Sequence, residues 1–495
     1  MTDAGEYQEK RWIALALLCM AQFVVVLDAS IVNVALPSIG ESLQFSQDNL
    51  SWVINAYILT FGGFLLLGGR LADLLGRRRV FMSGLVLFGL ASLVGGFAES
   101  EGSLIAARAV QGLGAALLSP AALSIITTTF RDGSERNKAL GVWGAVAGSG
   151  GAAGVLLGGV LTEYLGWEWV LWVNVPIAVV AALLAPRLIL ESRAESGSRN
   201  FDVPGAFSVT AGLAILVYAL VEAPNAGWDS GQTIGLIAAA VALIAIFVVV
   251  ESRSSAPLVP FAIFRQRTLT GANVVGLLTG ASLFSMFFFI SLYMQNVLGY
   301  SAIKAGLSYL PLAISIILAA GIASQLVTRV GFKPVLAVGM AFVSAGLALF
   351  SQISADGSYL GDILVPSLLA AIGLGLSFVP QTIAAMSGVP DREAGLASGL
   401  INTSQQIGGA LGLAVLSSIA FSTIDGLAAE GQVGPVALTE GYADAFMVGS
   451  GIGLLGIIAT LVLIRGGDSR AHTQLADQPA GEPAPADGHP VKAGA

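Results

Sequence analysis

The residue with the clearest chemical potential is Asp28, in the stretch Leu27-Asp-Ala-Ser-Ile-Val-Asn-Val-Ala-Leu-Pro37. It follows an apolar run that begins at Trp12, about 24 Å along a helix rising ~1.5 Å per residue. A carboxylate at a membrane helix centre costs about 2.5–3.5 kcal/mol, so such a residue faces a polar cavity and carries a proton or meets a cation. Arg108 is the one Arg well inside a span on the acidic side of the chain. Counted from Ser103 and Pro37, Arg108 lies about 8 Å deep and Asp28 about 14 Å. An Arg stem bridges several ångströms, so the two are expected to communicate directly or through water. Asp28 and Arg108 are therefore the candidate proton-coupling pair. The alternatives are an Asp that only bonds a neighbouring helix and an Arg that snorkels to the surface.

Other side chains suit a tolerant binding surface. Phe284 and Phe288 belong to a dense aromatic and Met patch that runs to Met294, suited to an apolar pocket. Asn402, Gln405 and Gln406 fall on one helix face. With Asn33 and Gln111 they complete the expected substrate-binding set. His472 and His489 both lie in the polar tail, so no imidazole relay is available inside the apolar part. The lone cysteine, Cys19, excludes an internal disulfide. No Walker loop, metal-ligand cluster or nucleophile–base pair appears. The expectation is a transporter rather than an enzyme, without cofactor, powered by a proton gradient and with no nucleic-acid partner.

The elements that must position these residues are membrane helices. The chain of 495 residues is 55% hydrophobic and 11% charged, with mean hydropathy +0.82. A soluble protein could not cover so much apolar surface, so the chain is polytopic and its first partner is the lipid bilayer. Fourteen apolar runs are long enough to span, near 12–37, 50–71, 80–98, 103–129, 138–164, 169–188, 203–222, 233–250, 268–296, 303–328, 334–353, 362–387, 395–421 and 443–465. The first run is too long for a cleaved leader and is read as a retained helix.

Basic residues alternate by side. Lys10 and Arg11, Arg77–Arg79, Arg131 and Arg136, Arg193 and Arg199, Arg265 and Arg267, Arg329 and Lys333, Arg392, and Arg465 all mark one side. Glu41, Asp48, Glu99, Glu222, Asp229 and Asp425 mark the other, with Lys304 its single cation. This bias predicts cytoplasmic termini and a multi-pass protein of the plasma (inner) membrane.

An internal repeat divides the chain. Leu71, Gly76 and Val80 align with Leu326, Gly331 and Val335, and Gly112-Leu-Gly114 with Gly373-Leu-Gly375. The fold class predicted is all-α, two six-helix halves with a two-helix insert. The halves are 1–190 and 253–465, with the linker and insert at 191–252 and a disordered cytoplasmic tail at 466–495. Parallel halves of this kind place a substrate between them and rock to alternate access. The insert helices lack a central charge and are expected at the periphery.

The loop Gly69-Arg-Leu-Ala-Asp-Leu-Leu-Gly-Arg-Arg-Arg-Val80 resembles the cytoplasmic signature of the major facilitator superfamily. The resemblance implies a cytoplasmic gate of Gly69, Asp73, Gly76, Arg77 and Arg78, with Asp73 meeting a helix N-terminus across the halves. The 395–421 helix is the expected partner. Leu104 to Gly114 resembles the family's motif on the fourth helix. Gly144–Gly159 resembles its antiporter motif, making Gly148, Gly154, Gly158 and Gly159 packing positions. Val155 replaces the motif proline, so the proline kink is expected to be missing. Asp28, Asn33 and Pro37 resemble the first helix of fourteen-helix drug:proton antiporters. This implies a monomeric exporter of lipophilic, cationic or amphipathic molecules, exchanging protons for substrate. Import of one metabolite or nutrient, or a sensor without flux, are the other readings.

Overall fold

The computed structural model describes residues 3–45, 50, 52–130, 133–193, 203–254, 257, 259–390 and 393–476. Asp48, Arg131, Arg199, Arg392 and the tail beyond 476 lie outside them. Fourteen long elements match the fourteen apolar runs. In the first half they are α1 (Asp3–Leu43), α2 (Trp52–Leu75), α3 (Arg77–Gly95), α4 (Glu101–Thr129), α5 (Ser134–Tyr164) and α6 (Trp169–Leu188). The insert is α7 (Val203–Ala226) and α8 (Gly231–Arg253). The second half is α9 (Arg267–Leu292), α10 (Ile303–Val330), α11 (Phe332–Phe350), α12 (Tyr359–Met386), α13 (Ala394–Ala429) and α14 (Pro435–Leu463).

Twelve of these are long and apolar enough to cross a membrane. The helix α5 joins them as one span bent by 42° between Gly151 and Ala153, and α7 carries a shorter apolar stretch, Pro204–Leu220. The bend lies ahead of Val155 and needs no proline. The run Gly148-Ser-Gly-Gly151 supplies the break, because Gly and Ser weaken a helix without any proline. The tail expected to be disordered from Gly466 begins instead with a helix, α15 (Gly466–Ala476).

The repeat is visible in the packing. In the first half α1 packs on α5, α2 on α4, and α3 on α4 and α6. In the second, α9 packs on α13, α10 on α12, and α11 on α12 and α14. The halves meet along two seams, α2–α13 and α5–α10. Small residues allow the close approaches that membrane helices need. A Cβ on Gly114 would lie 2.6 Å from the Phe88 nitrogen. In the insert, α8 packs on α7, and α7 lies over the α2–α13 seam. Ala214 of α7 meets Gly63, and the Trp228 indole donates to Ser418 Oγ at 2.6 Å. The insert thus touches both halves along one seam.

Candidate functional site

Asp28 is 0% exposed and Arg108 is 1% exposed. The Arg108 guanidinium donates to Asp28 Oδ2 at 2.5 Å. The snorkelling alternative is therefore excluded: Arg108 turns inward. A capping box at Ser100 and Ser103 starts α4, which sets the register of Arg108 further along that helix. Arg108 Nε also donates to the Val53 carbonyl at 2.9 Å, and its guanidinium lies 4.4 Å from the Tyr57 ring centroid. The Tyr57 hydroxyl closes the arrangement by donating to the Val25 carbonyl at 3.2 Å.

Asp28 Oδ1 accepts two further bonds, from Gln111 Nε2 and Asn174 Nδ2, each at 2.7 Å. Gln111 also donates to Ser92 Oγ at 2.7 Å and accepts from Arg108 at 2.5 Å. Side chains from α4 and α6 therefore converge on the α1 carboxylate, braced by Ser92 of α3, with a carbonyl and a ring from α2 beside its cation. A buried ion pair is tolerated only when its remaining donors and acceptors are matched, and this network does most of that matching. The Asn174 oxygen alone stays unpartnered.

Gln111 was expected to bind substrate; it is 1% exposed and belongs to the carboxylate network instead. Its α4 position, one turn from Arg108, makes the two side chains neighbours. Asn174, Ser92 and Tyr57 were missed. Asn174 stands in an apolar helix, and an isolated buried amide of that kind was a usable signal.

The glycines of α5 bracket the acid. A Cβ on Gly154 would run into Ser30 Oγ and lie 2.7 Å from the Leu27 carbonyl, and one on Gly158 would lie 2.7 Å from the Ile31 carbonyl. Gly148 is on the same helix. Gly159 faces elsewhere: a Cβ there would meet Ile303 of α10 at 3.3 Å, in the other half. One helix thus touches α1 beside Asp28 and also the opposite half.

At the basic face, Asp73 is 0% exposed. Its two oxygens accept from the backbone amides of Gly395 at 3.0 Å and Leu396 at 2.9 Å, at the start of α13. Arg77 donates to the same carboxylate at 2.9 Å. The expected partner helix is the observed one. Gly69 lets the backbones touch, since a Cβ there would collide with the Gly395 carbonyl. Gly76 adopts φ 113°, a left-handed turn that favours glycine. Arg78 does not join this gate. Its backbone amide bonds Glu191 and its side chain donates to the Ile189 carbonyl at 3.1 Å, because one further residue around the helix start turns it to the end of α6.

The remaining expected binding residues do not share one surface. Asn33 is exposed and donates to the Ala29 carbonyl, apart from Asp28 on α1. Phe284 packs against Gly409 of α13, and Phe288 packs at the edge of the second half's core. Their neighbour Phe287 is the one that reaches Gly151 of α5 across the halves. Asn402 donates back to the Ser398 carbonyl. Gln405 packs beside Gly276 and Gly280 of α9, whereas Gln406 faces Gly62 of α2. The 100° step of the helix separates adjacent residues that sequence spacing had grouped.

A family profile described as Major Facilitator Superfamily matches residues 18–413. The puromycin resistance protein pur8 of Streptomyces alboniger is 40% identical over 476 residues, covering 95% of this chain and 93% of that one. The cephamycin export protein CmcT of Amycolatopsis lactamdurans is 44% identical over 448 residues, 90% of each. Among solved structures, the proton:xylose symporter XylE superposes with TM-score 0.63 at 14% identity, over 93% of this chain and 96% of that chain. At that identity the likeness speaks to fold alone.

Proposed function

Because the chain belongs to the major facilitator superfamily, we propose that it is a proton-driven exporter of amphipathic small molecules, with Asp28 as the proton carrier. The observation that carries this reading is the buried Asp28–Arg108 pair at 2.5 Å, with two amide donors on the same carboxylate. Among the described residues no other carboxylate is buried at mid-span. Relatives named for antibiotic resistance and export support the outward direction.

The mechanism follows from the contacts. Protonating Asp28 removes the charge that holds Arg108, Gln111 and Asn174 together. Arg108 then loses its counter-ion in a dry site and must find another partner, which costs several kcal/mol if nothing moves. The relief available is rotation or translation of α1. The Gly154–Gly158 edge of α5 rides on α1 at Leu27 and Ile31, and the next glycine abuts α10. A shift of α1 is thereby passed to the α5–α10 seam, one of the two hinges about which the halves rock. At the basic face Asp73 holds α13 and closes that seam. With the basic face cytoplasmic in a plasma membrane, the proton enters from outside and substrate leaves by the same side.

The test is flux in proteoliposomes under an imposed pH gradient. Asp28→Asn is expected to abolish gradient-driven export. It also leaves Arg108 buried without its counter-ion, at about 3–5 kcal/mol. The double variant Asp28→Asn/Arg108→Gln is therefore expected to recover thermal stability while remaining uncoupled. Gradient-dependent export at the original rate by either variant would refute the assignment.

A further inference from the structure

A second polar region lies at the basic face, distinct from the Asp28 network. A cavity of about 530 Å³ is lined by Arg136 and Leu140 of the first half and by Arg265, Arg267, Ile383, Met386, Arg465 and Asp468 of the second. Its rim carries four guanidinium groups and one carboxylate. That carboxylate is engaged, since Thr268 Oγ1 donates to Asp468. Arg265, Arg267 and Arg465 are exposed and make no ion pair among the described residues. The apolar side chains of Leu140, Ile383 and Met386 line the same space. The volume falls within the range of sites for drug-sized ligands.

We propose that this cavity is a loading vestibule for amphipathic organic acids, so that the exporter takes carboxylate-bearing amphiphiles in preference to lipophilic cations. This rests on the export reading above. Three features carry it. First, both halves line the cavity, so it opens and closes with the rocking that admits substrate. Second, a concave basic rim focuses its field and raises the local concentration of anions, and a guanidinium fork matches a carboxylate in two parallel bonds. Apolar walls beneath such a rim fit a molecule with an acidic head and a lipophilic body. Third, neither Asp28 nor Asp73 is vacant for a cation. Asp28 is saturated by Arg108, Gln111 and Asn174, and Asp73 by Arg77 and two backbone amides. The expectation of a cationic substrate required Asp28 to open onto the path, whereas it points into its own half.

The experiment uses the full chain in proteoliposomes with three labelled probes that share one hydrophobic body. One bears a carboxylate, one its methyl ester and one a quaternary ammonium. The acid is expected to be exported with a lower KM than the ammonium probe. In Arg265→Gln/Arg465→Gln the ratio of acid to ester transport efficiency is expected to fall about tenfold, a change in the range of electrostatic steering. The same ratio in the unaltered protein should fall with rising ionic strength, and Arg265→Lys/Arg465→Lys, which keeps the charge without the fork, should restore part of it. Preference for the ammonium probe, or equal losses for acid and ester in the Gln variant, would overturn the proposal. Absence of gradient-driven flux for all three probes would instead defeat the export reading.

Discussion

The two seams between the halves are related by the internal repeat, yet they are held differently. At the end of α2, Asp73 reaches across to the first amides of α13. At the matching end of α10, the aligned position is Thr328, and it accepts from Asn137 Nδ2 of α5 at 3.0 Å. Each contact joins a helix end in one half to a helix start in the other. The first is charged and fully buried; the second is neutral. The reason lies at the helix N-termini, which favour negative charge. The α5 start carries its own acid, Glu135, paired with Arg11 at 2.5 Å within the same half. The α13 start has an acid at its cap, Glu393, but that side chain makes no cap bond to the helix, and Asp73 of the opposite half takes the first amides instead. A helix that borrows its counter-charge is tied to the lender, so the α2–α13 seam is the stronger latch. The insert adds to the same asymmetry by covering that seam and leaving α5–α10 bare.

This comparison can be broken in order of expected effect. Asp73→Ala removes both cross-half bonds to a charged acceptor, together worth about 3 kcal/mol. The basic face should open roughly a hundredfold more often, read as increased labelling of a cysteine placed at Ser398, which is 0% exposed on α13 and faces Pro120 of the other half. Gly69→Leu keeps the charge but drives a side chain into the Gly395 carbonyl, an overpacking cost of about 2 kcal/mol. It should open the same seam by roughly thirtyfold in that assay. Thr328→Val deletes one neutral cross-half bond, about 1 kcal/mol, along with the hydroxyl's bond to the Ser324 carbonyl within α10, and should open the face about fivefold. An effect of Thr328→Val equal to that of Asp73→Ala would remove the asymmetry between the seams.

The halves differ inside as well. The first buries an ion pair with amide and hydroxyl partners around it. In the second, Gln381 is fully buried and neither of its side-chain polar atoms has a hydrogen-bond partner among the described residues. The repeated architecture was legible in Leu71, Gly76, Val80 and their counterparts, because glycine at a tight turn leaves a local trace. The chemical specialisation of one half was legible only through Asp28 and Arg108, whose cost in an apolar run makes them conspicuous.

Other assignments depended on helix rotation. Gln111 and Phe284 have types suited to binding, but the first faces the carboxylate and the second faces Gly409. Neighbours in sequence separate by 100° around a helix, so Arg77 joins Asp73 while Arg78 turns to Glu191. The basic cavity could not be foreseen from a positive loop bias, since its four arginines come together only after both halves fold.

The family resemblance supplied the helix that receives Asp73; the sequence by itself determined the fourteen apolar elements, their twofold repetition, and the acid and its cation. These follow from hydropathy, from the cost of charge in a membrane and from turn chemistry, all of which are local. Only the tertiary structure decided that Asn174 and Gln111 complete the acid's shell, that α5 links it to α10, and which seam is latched by charge. Those outcomes depend on how each helix is rotated against its neighbours, and packing between distant residues sets that rotation.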